Sequence, residues 1–426
     1  MNKMKKIKIA VVGYGNRGQV YADYSLDEPD EVEVVAVVDP NEYKLKVAKE
    51  RYGLQEEQLF TAYSHFAVSG IEADLVINAT MEQNHYQTAM EILRSGHHML
   101  IEKPIVSKKE ELESIRDLAH KKGCQVFVCH VLRYSPFYKR VKAMLGEGKI
   151  GNIISMEMNE HVWIPHYLTS YIRGKWKSEA ECGSPILLAK CCHDMDLIAW
   201  LNESAPKRVS SFAHRSHFVR KNRPQGATES CHQCPYEQTC KYSAMNLYYR
   251  HNQMPFLVLD SLDKPYAEIT EEERLNNLKS SAYGRCAYVD GDIMDRQNVL
   301  VDFEDGSVAS FTLTGGACRP DRYVHIVGTD GEIEGKLEEN KFVYRTYDPV
   351  TNGYREEVVD VSAQIVNKAL YGGHSGGDYG IMHDLVRHLN GEKTSDSITL
   401  LADSIESHLL VYAAEESAKT GNTVTF

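Results

Sequence analysis

The feature that most constrains the fold is a glycine-spaced loop directly after a short apolar run. Residues 7–12 read Ile-Lys-Ile-Ala-Val-Val, and Gly13, Gly15 and Gly18 follow at the spacing Gly-x-Gly-x-x-Gly. In such a loop the first glycine permits a tight turn, the second lets the backbone approach a pyrophosphate, and the third lets the helix pack closely on the strand. The pattern predicts a strand, a phosphate-binding turn and a helix whose N-terminal amides face the anion.

The first 130 residues alternate apolar runs of strand length with helical patterns. Helices are predicted at His85–Arg94 and Lys108–Lys121. Strands are predicted at Ile7–Val12, Val32–Val38, Asp74–Ala79, His98–Ile101 and Gln125–Cys129. This alternation predicts an α/β Rossmann domain over residues 1–130, with a doubly wound parallel sheet and helices on both faces.

The second strand run ends at Asp39, about twenty residues after the last glycine of the loop. An acid there accepts hydrogen bonds from the adenosine ribose and repels a 2'-phosphate, so NAD is favoured over NADP. The alternative is that Asp39 only caps a helix beginning near Asn41. Ligands collect at the carboxyl ends of parallel strands, which adds further cofactor candidates. Besides the three glycines and Asp39, these are Asn16, Arg17, Thr80, His85, Glu102, Lys103 and Pro104.

Together these motifs resemble the Gfo/Idh/MocA family of glucose-fructose oxidoreductases, inositol dehydrogenases and rhizopine-catabolism proteins. The residues that carry the resemblance are Gly13 to Gly18, Asp39, Thr80 to His85, Glu102-Lys103-Pro104, Arg133-Tyr-Ser-Pro136 and His193-Asp-Met-Asp-Leu-Ile-Ala-Trp200. The resemblance implies that residues 131–426 form an α+β domain with a large open, mainly antiparallel sheet. That domain would bind substrate and carry the interface of a homodimer or homotetramer.

Several patterns after residue 150 suit such a domain. A last helix is predicted at Leu401–Lys419, and Ser184–Leu201 is predicted to be an amphipathic helix. Strands are predicted from Gly151 to Met158 and from Val299 to Phe303, the latter turning at Glu304-Asp-Gly306 into Ser307 to Leu313. Such a turn between alternating runs favours antiparallel pairing. Residues from about 214 to 295 are less regular and are interpreted as an insertion.

The insertion contains a cysteine cluster with the spacing of a metal site. Cys231 and Cys234 are separated by two residues and Cys240 follows six residues later. Tetrahedral zinc needs a fourth ligand, for which Cys286 is the candidate and His232 the reserve. Free thiols in a loop are the alternative. The other cysteines among the ten in the chain are interpreted as reduced core thiols, not a disulfide framework.

Hydride transfer from an alcohol requires a group that removes the hydroxyl proton. The unperturbed imidazole pKa, near about 6.5, suits His193 for this task, and Asp196 lies on the same helical face, where it can orient the ring. The resemblance implies that Lys103 polarises the reacting oxygen or relays its proton and that His193 is the acid/base. The alternative for His193 is a satisfied structural histidine.

One position departs from the family pattern. Dehydrogenases of the resembled family commonly carry an aspartate four residues before the histidine, where this chain has Ala189. Lys190 or Asp194 can substitute for the missing acid, although each can equally be a surface residue. Either the proton path is rearranged or the reaction is not simple alcohol oxidation.

Two further stretches supply candidates for binding a substrate. A glycine-rich loop runs from Tyr371 to Tyr379, and its His374 and Asp378 can bind vicinal hydroxyls. The alternative is a hinge with Asp378 as a helix N-cap. A second stretch is rich in polar and aromatic residues, which line a sugar pocket or belong to the core: His161, Trp163, His166, Tyr167, Arg173 and Trp176.

The net charge of −12 gives no basic surface for nucleic acid, so no nucleic-acid partner is expected. No run of about 18 apolar residues occurs, so no membrane partner is expected, and a cytoplasmic location follows. The expected function is an NAD(H)-dependent oxidoreductase that transfers hydride between nicotinamide and a secondary hydroxyl or ketone of a sugar, inositol or related polyol. Two alternatives remain: an NAD-dependent glycosidase or lyase using transient oxidation, and a non-catalytic NAD- and sugar-sensing protein.

Overall fold

Two β-sheets organise the chain in a computed structural model that describes residues 4–365, 374–392 and 395–426. The first sheet contains β1 Ile7–Val12, β2 Val32–Val38, β3 Leu59–Phe60, β4 Leu75–Asn78, β5 Met99–Ile101 and β6 Val126–Val128. The helices between these strands are α1 Asn16–Ala22, α2 Tyr24–Asp27, α3 Glu42–Tyr52, α4 Tyr63–Ala67, α5 His85–Arg94 and α6 Lys109–Lys122. The alternation of strands and helices predicted for this region is confirmed.

The first sheet is entirely parallel in the order β3-β2-β1-β4-β5-β6. Its strands are rich in Val and Ile and nearly continuously buried, as expected where helices cover both faces. The carboxyl ends of β1 and β4 lie side by side, since Val12 pairs with Asn78. The glycine loop and the polar residues after β4 therefore share one edge of the sheet.

The chain returns to the first sheet near its C-terminus. The amide of Val128 donates to the carbonyl of Thr399 at 2.9 Å, and Leu400 forms a bridge with Phe127 beside β6. Helix α13, Gly377–Leu389, buries Ile381, Met382, Leu385 and Val386 in the core that contains β1. Residues on both sides of position 131 thus build the first core, which the sequence division at 130 does not anticipate.

The second sheet has nine strands in the order β14-β13-β12-β11-β7-β10-β9-β8-β15. The strands are β7 Ile153–Trp163, β8 Pro206–His214, β9 Arg296–Phe303, β10 Val308–Ala317, β11 Tyr323–Gly328, β12 Glu332–Lys336, β13 Lys341–Asp348, β14 Gly353–Asp360 and β15 Val424–Thr425. Among the described strands of this sheet, only β7 and β10 pair in parallel, and the predicted antiparallel pairing of β9 with β10 is confirmed. The sheet is therefore mainly antiparallel.

Strands β7, β9 and β10 alternate between a buried face and a more open face. In β9, Val299 and Val301 are buried while Leu300 is 54% exposed. The remaining helices are α7 Pro136–Gly146, α8 Ile164–Tyr167, α9 Glu179–Cys182, α10 Ile186–Asn202, α11 Pro255–Val258, α12 Glu271–Ser280, α13 Gly377–Leu389 and α14 Leu401–Thr420. Helices α10 and α14 pack together, and α10 contacts β7 while α14 contacts β8. The opposite face of the sheet stays open.

Helix α10 lies close to the predicted bounds, but the prediction that it is amphipathic is wrong. All of its residues are buried except Lys190, which is partly exposed. The helix lies between β7, α14 and the turn Val131–Tyr134 that follows β6. Its charged residues therefore face the protein interior, where they need partners.

Residues 215–295 connect β8 to β9 and contain α11, α12 and several short turns. This connection is the stretch that the sequence pattern marked as an insertion. Across the described ranges, no helix combines the length and the apolar character needed to cross a membrane.

Candidate active site

The glycine loop has the backbone geometry that a dinucleotide cradle requires. Gly13 has a φ of +88°, and a Cβ there would lie 2.5 Å from the carbonyl oxygen of Ala79. A Cβ on Gly18 would lie 2.1 Å from the carbonyl oxygen of Gly13. At Gly15, by contrast, a Cβ would meet no atom within 4 Å. Gly13 and Gly18 thus permit close packing of the backbone. Gly15 faces open space beside the start of α1, which fits the approach of a pyrophosphate.

Asp39 ties the end of β2 to the glycine loop. Its carboxylate accepts from the amide of Tyr14 at 2.8 Å and from the amide of Asn41 at 2.9 Å. The cap of α3 is Asn41 itself, whose side chain accepts from the amides of Tyr43 and Lys44. Asp39 is therefore not the helix cap, and the lone pairs left on its oxygens fit the predicted contact with a ribose.

Arg17 joins the glycine loop to two distant segments. Its guanidinium donates to Glu102 at 2.7 Å and to Asp378 at 2.8 Å, and the Tyr21 hydroxyl donates to the same Glu102 oxygen at 2.5 Å. Burial alone would raise the pKa of Glu102, but Arg17 and Lys103 outweigh it and lower that pKa. The structure thus turns Arg17 toward buried carboxylates, which gives it a structural role besides the predicted cofactor contact.

His85 holds the loop after β4 against the turn after β5. Its two ring nitrogens lie 2.8 Å from the carbonyl oxygen of Pro104 and 3.0 Å from that of Thr80, and the ring is 1% exposed. The Thr80 hydroxyl donates to Asn78 at 2.8 Å. These contacts fix the backbone on which Lys103 sits.

Lys103 and His193 meet at the boundary between the two sheets. Lys103 Nζ donates to the carbonyl oxygen of Ala189 at 2.8 Å. His193, one turn later on α10, is 3% exposed, and its Nδ1 has no hydrogen-bond partner among the described residues. Burial, reinforced by the positive charge of Lys103, holds the pKa of His193 well below its usual range. The ring is therefore neutral near pH 7 and able to accept a proton.

A buried network of charges lies on the second-sheet side. Arg322, just before β11, donates to Asp194 at 2.8 Å and lies 2.6 Å from Glu160 of β7. Lys190 lies 3.4 Å from Glu160. Burial lowers the pKa of Lys190 against the attraction of Glu160, and burial raises the pKa of Asp194 to about 6 against Arg322. Lys190 and Asp194 are thus interior groups, not surface residues.

The predicted substrate residues His374, Asp378 and His166 are brought to the same place. His374 Nδ1 lies 3.1 Å from an oxygen of Asp378, and its ring centroid is 5.8 Å from that of His193. Burial, followed by the charges of Lys190 and Arg322, lowers the pKa of His166. The N-cap of α13 is Gly376, so Asp378 is not the cap. Tyr371 to Gly373 lie outside the described residues.

Arg173, predicted to bind substrate, is directed elsewhere. Its guanidinium donates to the carbonyl oxygens of Arg285 and Tyr242 at 2.8 and 2.6 Å and to the Tyr248 hydroxyl at 3.2 Å. Since these partners all belong to the insertion and the residue is 2% exposed, Arg173 supports that segment instead of lying beside Lys103 and His193.

The predicted zinc site is not assembled. In the part of the chain that the structure describes, which includes all four cysteines, no group of three or more His, Cys, Asp or Glu side chains is placed to hold a metal ion. The Cys231 thiol is buried and donates to the carbonyl oxygen of Arg285 at 3.4 Å, while Cys234 and Cys240 are partly exposed. Cys286 is buried and, like the others, a free thiol.

Sequence reasoning missed several members of the site. Glu82, after β4, accepts from the indole of Trp176 at 2.8 Å through Oε1, while its buried Oε2 has no partner among the described residues. Burial raises the pKa of Glu82 against the charge of Lys103. Glu160 lies in β7 and Arg322 directly before β11, and neither belongs to a local sequence motif. For Glu82 the available signal was its position after a strand of the first sheet.

Two family models account for nearly the whole chain. Residues 7–130 match an oxidoreductase family with an NAD-binding Rossmann fold, and residues 142–426 match the C-terminal alpha/beta domain of the same family.

Individual proteins agree with this assignment. YteT of Bacillus subtilis (strain 168), named as an oxidoreductase, is 24% identical over 73% of this chain and 72% of its own length. The scyllo-inositol 2-dehydrogenase (NADP(+)) IolW of the same strain is 23% identical over 46% of this chain and 51% of that protein. A structure of levoglucosan dehydrogenase with NADH and levoglucosan superposes with a TM-score of 0.70 at 18% identity, covering 99% of each chain. The chain belongs to the Gfo/Idh/MocA oxidoreductase family.

Proposed function

We propose that this protein is an NAD(H)-dependent oxidoreductase that transfers hydride between nicotinamide and a secondary hydroxyl or ketone of a sugar, inositol or related polyol. The observation that carries the proposal is the convergence of Lys103 with a buried, neutral His193 at the carboxyl edge of the first sheet. Ligands of open parallel sheets bind at this edge.

The two residues divide the proton chemistry. Since His193 Nδ1 faces the interior, Nε2 is the nitrogen that accepts the hydroxyl proton. Of the three N–H groups on Lys103, one is held by Ala189, which leaves two for the reacting oxygen. Bound NAD would supply the acceptor for the hydride of the carbinol carbon. Lys190, held by Glu160, supplies a further positive charge beside the oxygen. In the reverse direction His193 returns the proton to the alkoxide oxygen.

Gly15, Asn16, Asp39 and Thr80 are the residues proposed to hold the cofactor. The open space at Gly15 and the lone pairs of Asp39 support NAD as the cofactor. For the substrate, His166, Asp194, His374 and Asp378 provide a dense set of hydrogen-bonding groups beside His193. The names of IolW and levoglucosan dehydrogenase, an inositol and an anhydrosugar enzyme, support a polyhydroxylated substrate.

Ala189 keeps one alternative reaction open. With no acid at this position, an NAD-dependent glycosidase or lyase remains a second candidate, in which transient oxidation acidifies a neighbouring C–H bond and permits elimination. A sensor that binds NAD without turnover is disfavoured by the intact pair of Lys103 and His193.

One experiment separates these functions. Protein and NAD are incubated with a panel of inositols, aldoses, anhydrosugars and glycosides, and both NADH absorbance and released reducing sugar are recorded. Net NADH supports the dehydrogenase, and sugar release without net NADH supports the glycosidase. Neither signal, despite NAD binding measured by calorimetry, supports the sensor and contradicts the proposal.

Assembly is proposed to occur through the open face of the nine-stranded sheet. Phe212, Leu300 and Val308 on this face are between 47% and 64% exposed, which is unusual for large apolar side chains left in water. Light scattering of the purified protein should give the mass of a dimer or tetramer; a monomer mass of 48.2 kDa would contradict this. The cytoplasmic location and the domain division at residue 130 stay predictions.

A further inference from the structure

A second histidine, His130, lies behind His193, and its side chain forms no hydrogen bond with the described residues. It follows β6 at the carboxyl edge of the first sheet and is 0% exposed. Neither of its ring nitrogens has a hydrogen-bond partner among the described residues, and His193 Nδ1 has none either. A buried polar group without a partner costs about 1–3 kcal/mol. Three such nitrogens in neighbouring rings therefore indicate a role beyond packing.

The two rings form a row that ends at a carboxylate. The ring centroids of His193 and His130 lie 5.9 Å apart with their planes at 78°. His130 Nε2 lies 3.6 Å from Asp196 Oδ1, slightly beyond hydrogen-bond distance. Asp196 is fixed by Arg133, which donates to both of its oxygens at 2.6 and 2.7 Å. A small displacement of the His130 ring brings its Nε2 within hydrogen-bond distance of Asp196, while its edge already packs against the ring of His193.

His408, on the other side of His130, already uses both of its ring nitrogens in hydrogen bonds. The ring of His408 is 5.8 Å from that of His130, but its Nε2 accepts from the amide of Ile105 at 3.0 Å and its Nδ1 donates to the carbonyl oxygen of Ser404 at 2.9 Å. A further proton on His408 would cost the bond to Ile105. The row therefore leads from His193 through His130 to Asp196, and not to His408.

We propose that His130 is a positioning residue of the proton path, which receives the Nδ1 proton of His193 and is stabilised in turn by Asp196. This arrangement does the work of the acid that is missing at Ala189. The proposal rests on the proposed dehydrogenase function.

The step moves one proton and no electrons. As His193 Nε2 takes the substrate hydroxyl proton, the Nδ1–H bond of His193 breaks and an N–H bond forms on His130. The other nitrogen of His130 then donates its N–H to the carboxylate of Asp196. Reversal of the same transfers returns the proton during ketone reduction.

The surroundings of His130 keep the transferred proton short-lived. Burial, then His408, Arg133 and Lys103, hold the pKa of His130 well below its usual range, while Glu102 acts in the opposite direction. Together with His193 and Asp196 on α10, these are the titratable groups that face the ring. The proton is therefore returned to His193 and is not stored on His130.

The first test does not require turnover. Nitrogen-15 chemical shifts of labelled histidines report which ring nitrogen carries the proton, and a His193→Gln variant assigns the resonances of His193. In the wild-type protein, His193 is expected to hold its proton on Nδ1. In His130→Phe the proton is expected to redistribute toward Nε2. Unchanged shifts of His193 in this variant would overturn the proposal even if no substrate has been found.

The second test uses kinetics on a substrate identified from the polyol panel. His130→Phe is expected to lower kcat about 100-fold, at the lower end of what positioned proton transfer contributes, with KM and NAD affinity unchanged. The acid limb of kcat/KM is expected to move to lower pH, because His193 loses the acceptor that stabilises its charged form. His130→Gln, which can accept a hydrogen bond, is expected to recover part of kcat.

His408→Gln is the matched control, because it changes a ring packed equally closely on His130. It is expected to lower the melting temperature but to leave the pH profile and the His193 shifts unchanged. Wild-type kcat in both folded His130 variants would overturn the proposal. If the wild-type protein oxidises no member of the panel, the proposed function fails, and the nitrogen-15 test still decides whether His130 and His193 are partners.

Discussion

The buried polar groups of the candidate site fall into two sets, which differ in whether they have hydrogen-bond partners. On the cofactor side, Asp39, His85 and Glu102 each bind two or more partners within the described structure. Where α10 meets the first sheet, His193 Nδ1 and both nitrogens of His130 are buried with no hydrogen-bond partner in the described parts of the chain. Glu82 Oε2 joins them from the loop after β4.

The paired groups therefore have a structural role, and the unpaired groups are the ones that fit a role in the reaction. Fully paired groups hold a backbone in one shape, and this shape receives a cofactor whose structure does not change with the substrate. Unpaired groups destabilise the resting protein, so their retention fits groups whose hydrogen bonds form only during proton transfer. The predictions that follow test this contrast, in order of decreasing effect.

The largest effect is expected from Lys103→Met. The change removes the ammonium from the reacting oxygen, so turnover should fall by about 1,000-fold, within the range for positioned acid–base groups. NAD affinity should stay nearly the same, because Lys103 Nζ contacts Ala189 and not the glycine loop. Steady-state kinetics and calorimetry measure the two quantities. Lys108→Met, an exposed lysine nearby, is the control, and retained turnover in Lys103→Met would contradict the assignment.

Replacing two glycines of the loop by alanine is expected to change different properties, stability at Gly18 and NAD affinity at Gly15. Gly18→Ala places a Cβ against the backbone of Gly13 and should lower the free energy of unfolding by about 1–3 kcal/mol. Gly15→Ala meets no atom and should leave stability unchanged while weakening NAD binding about tenfold, or 1.4 kcal/mol. Thermal unfolding and NAD titration of both variants provide the comparison. Equal NAD affinity in Gly15→Ala and the wild type would contradict the proposal that the backbone at Gly15 contacts NAD.

Glu82→Gln should stabilise the protein. The pKa of Glu82 is raised by burial, so the folded state disfavours the carboxylate, and this cost is present above the folded pKa and disappears as pH falls below the unfolded one. The amide keeps a hydrogen-bond acceptor for Trp176 and should add about 1 kcal/mol of stability near pH 7. Denaturant unfolding at two pH values measures this, with the exposed Glu72 changed to Gln as control. A loss of stability would show that Glu82 is a structural acid.

The smallest effect is an absence of pH dependence. Because the pKa of His193 is held well below its usual range, the ring stays neutral as pH falls through about 6.5. The value of kcat/KM for oxidation should therefore stay level from pH 8 to about 6 and fall only at lower pH. The measurement is the pH profile of kcat/KM for oxidation, and the same profile for the reverse reaction serves as the control. A decline of kcat/KM centred near pH 6.5 would contradict the prediction, because it would indicate a base with the pKa of an ordinary exposed histidine.

Local signals were sufficient for the cofactor side and insufficient for the other. The strand bounds of β1 and β2 and the helix His85–Arg94 agree residue for residue with the sequence prediction, because glycine spacing and apolar runs are short-range features. The network of Glu160, Lys190 and Arg322 joins β7, α10 and the start of β11, which only tertiary structure brings together. The polar residues of α10 led to the prediction of a solvent-exposed helix face for the same reason: the buried groups that pair with them lie far away in the sequence.

The return of the chain to β6 also sets an order of events during synthesis. Thr399 and Leu400 close the edge of the nucleotide-binding sheet, and α13 fills one of its cores. When only the first 130 residues have left the ribosome, this domain is therefore incomplete, because the segments that cover its sheet edge and its apolar face, α13 and Leu400, are made about 250 to 270 residues later. A fragment cut at residue 130 should bind NAD only when residues 374–400 are supplied on a second chain.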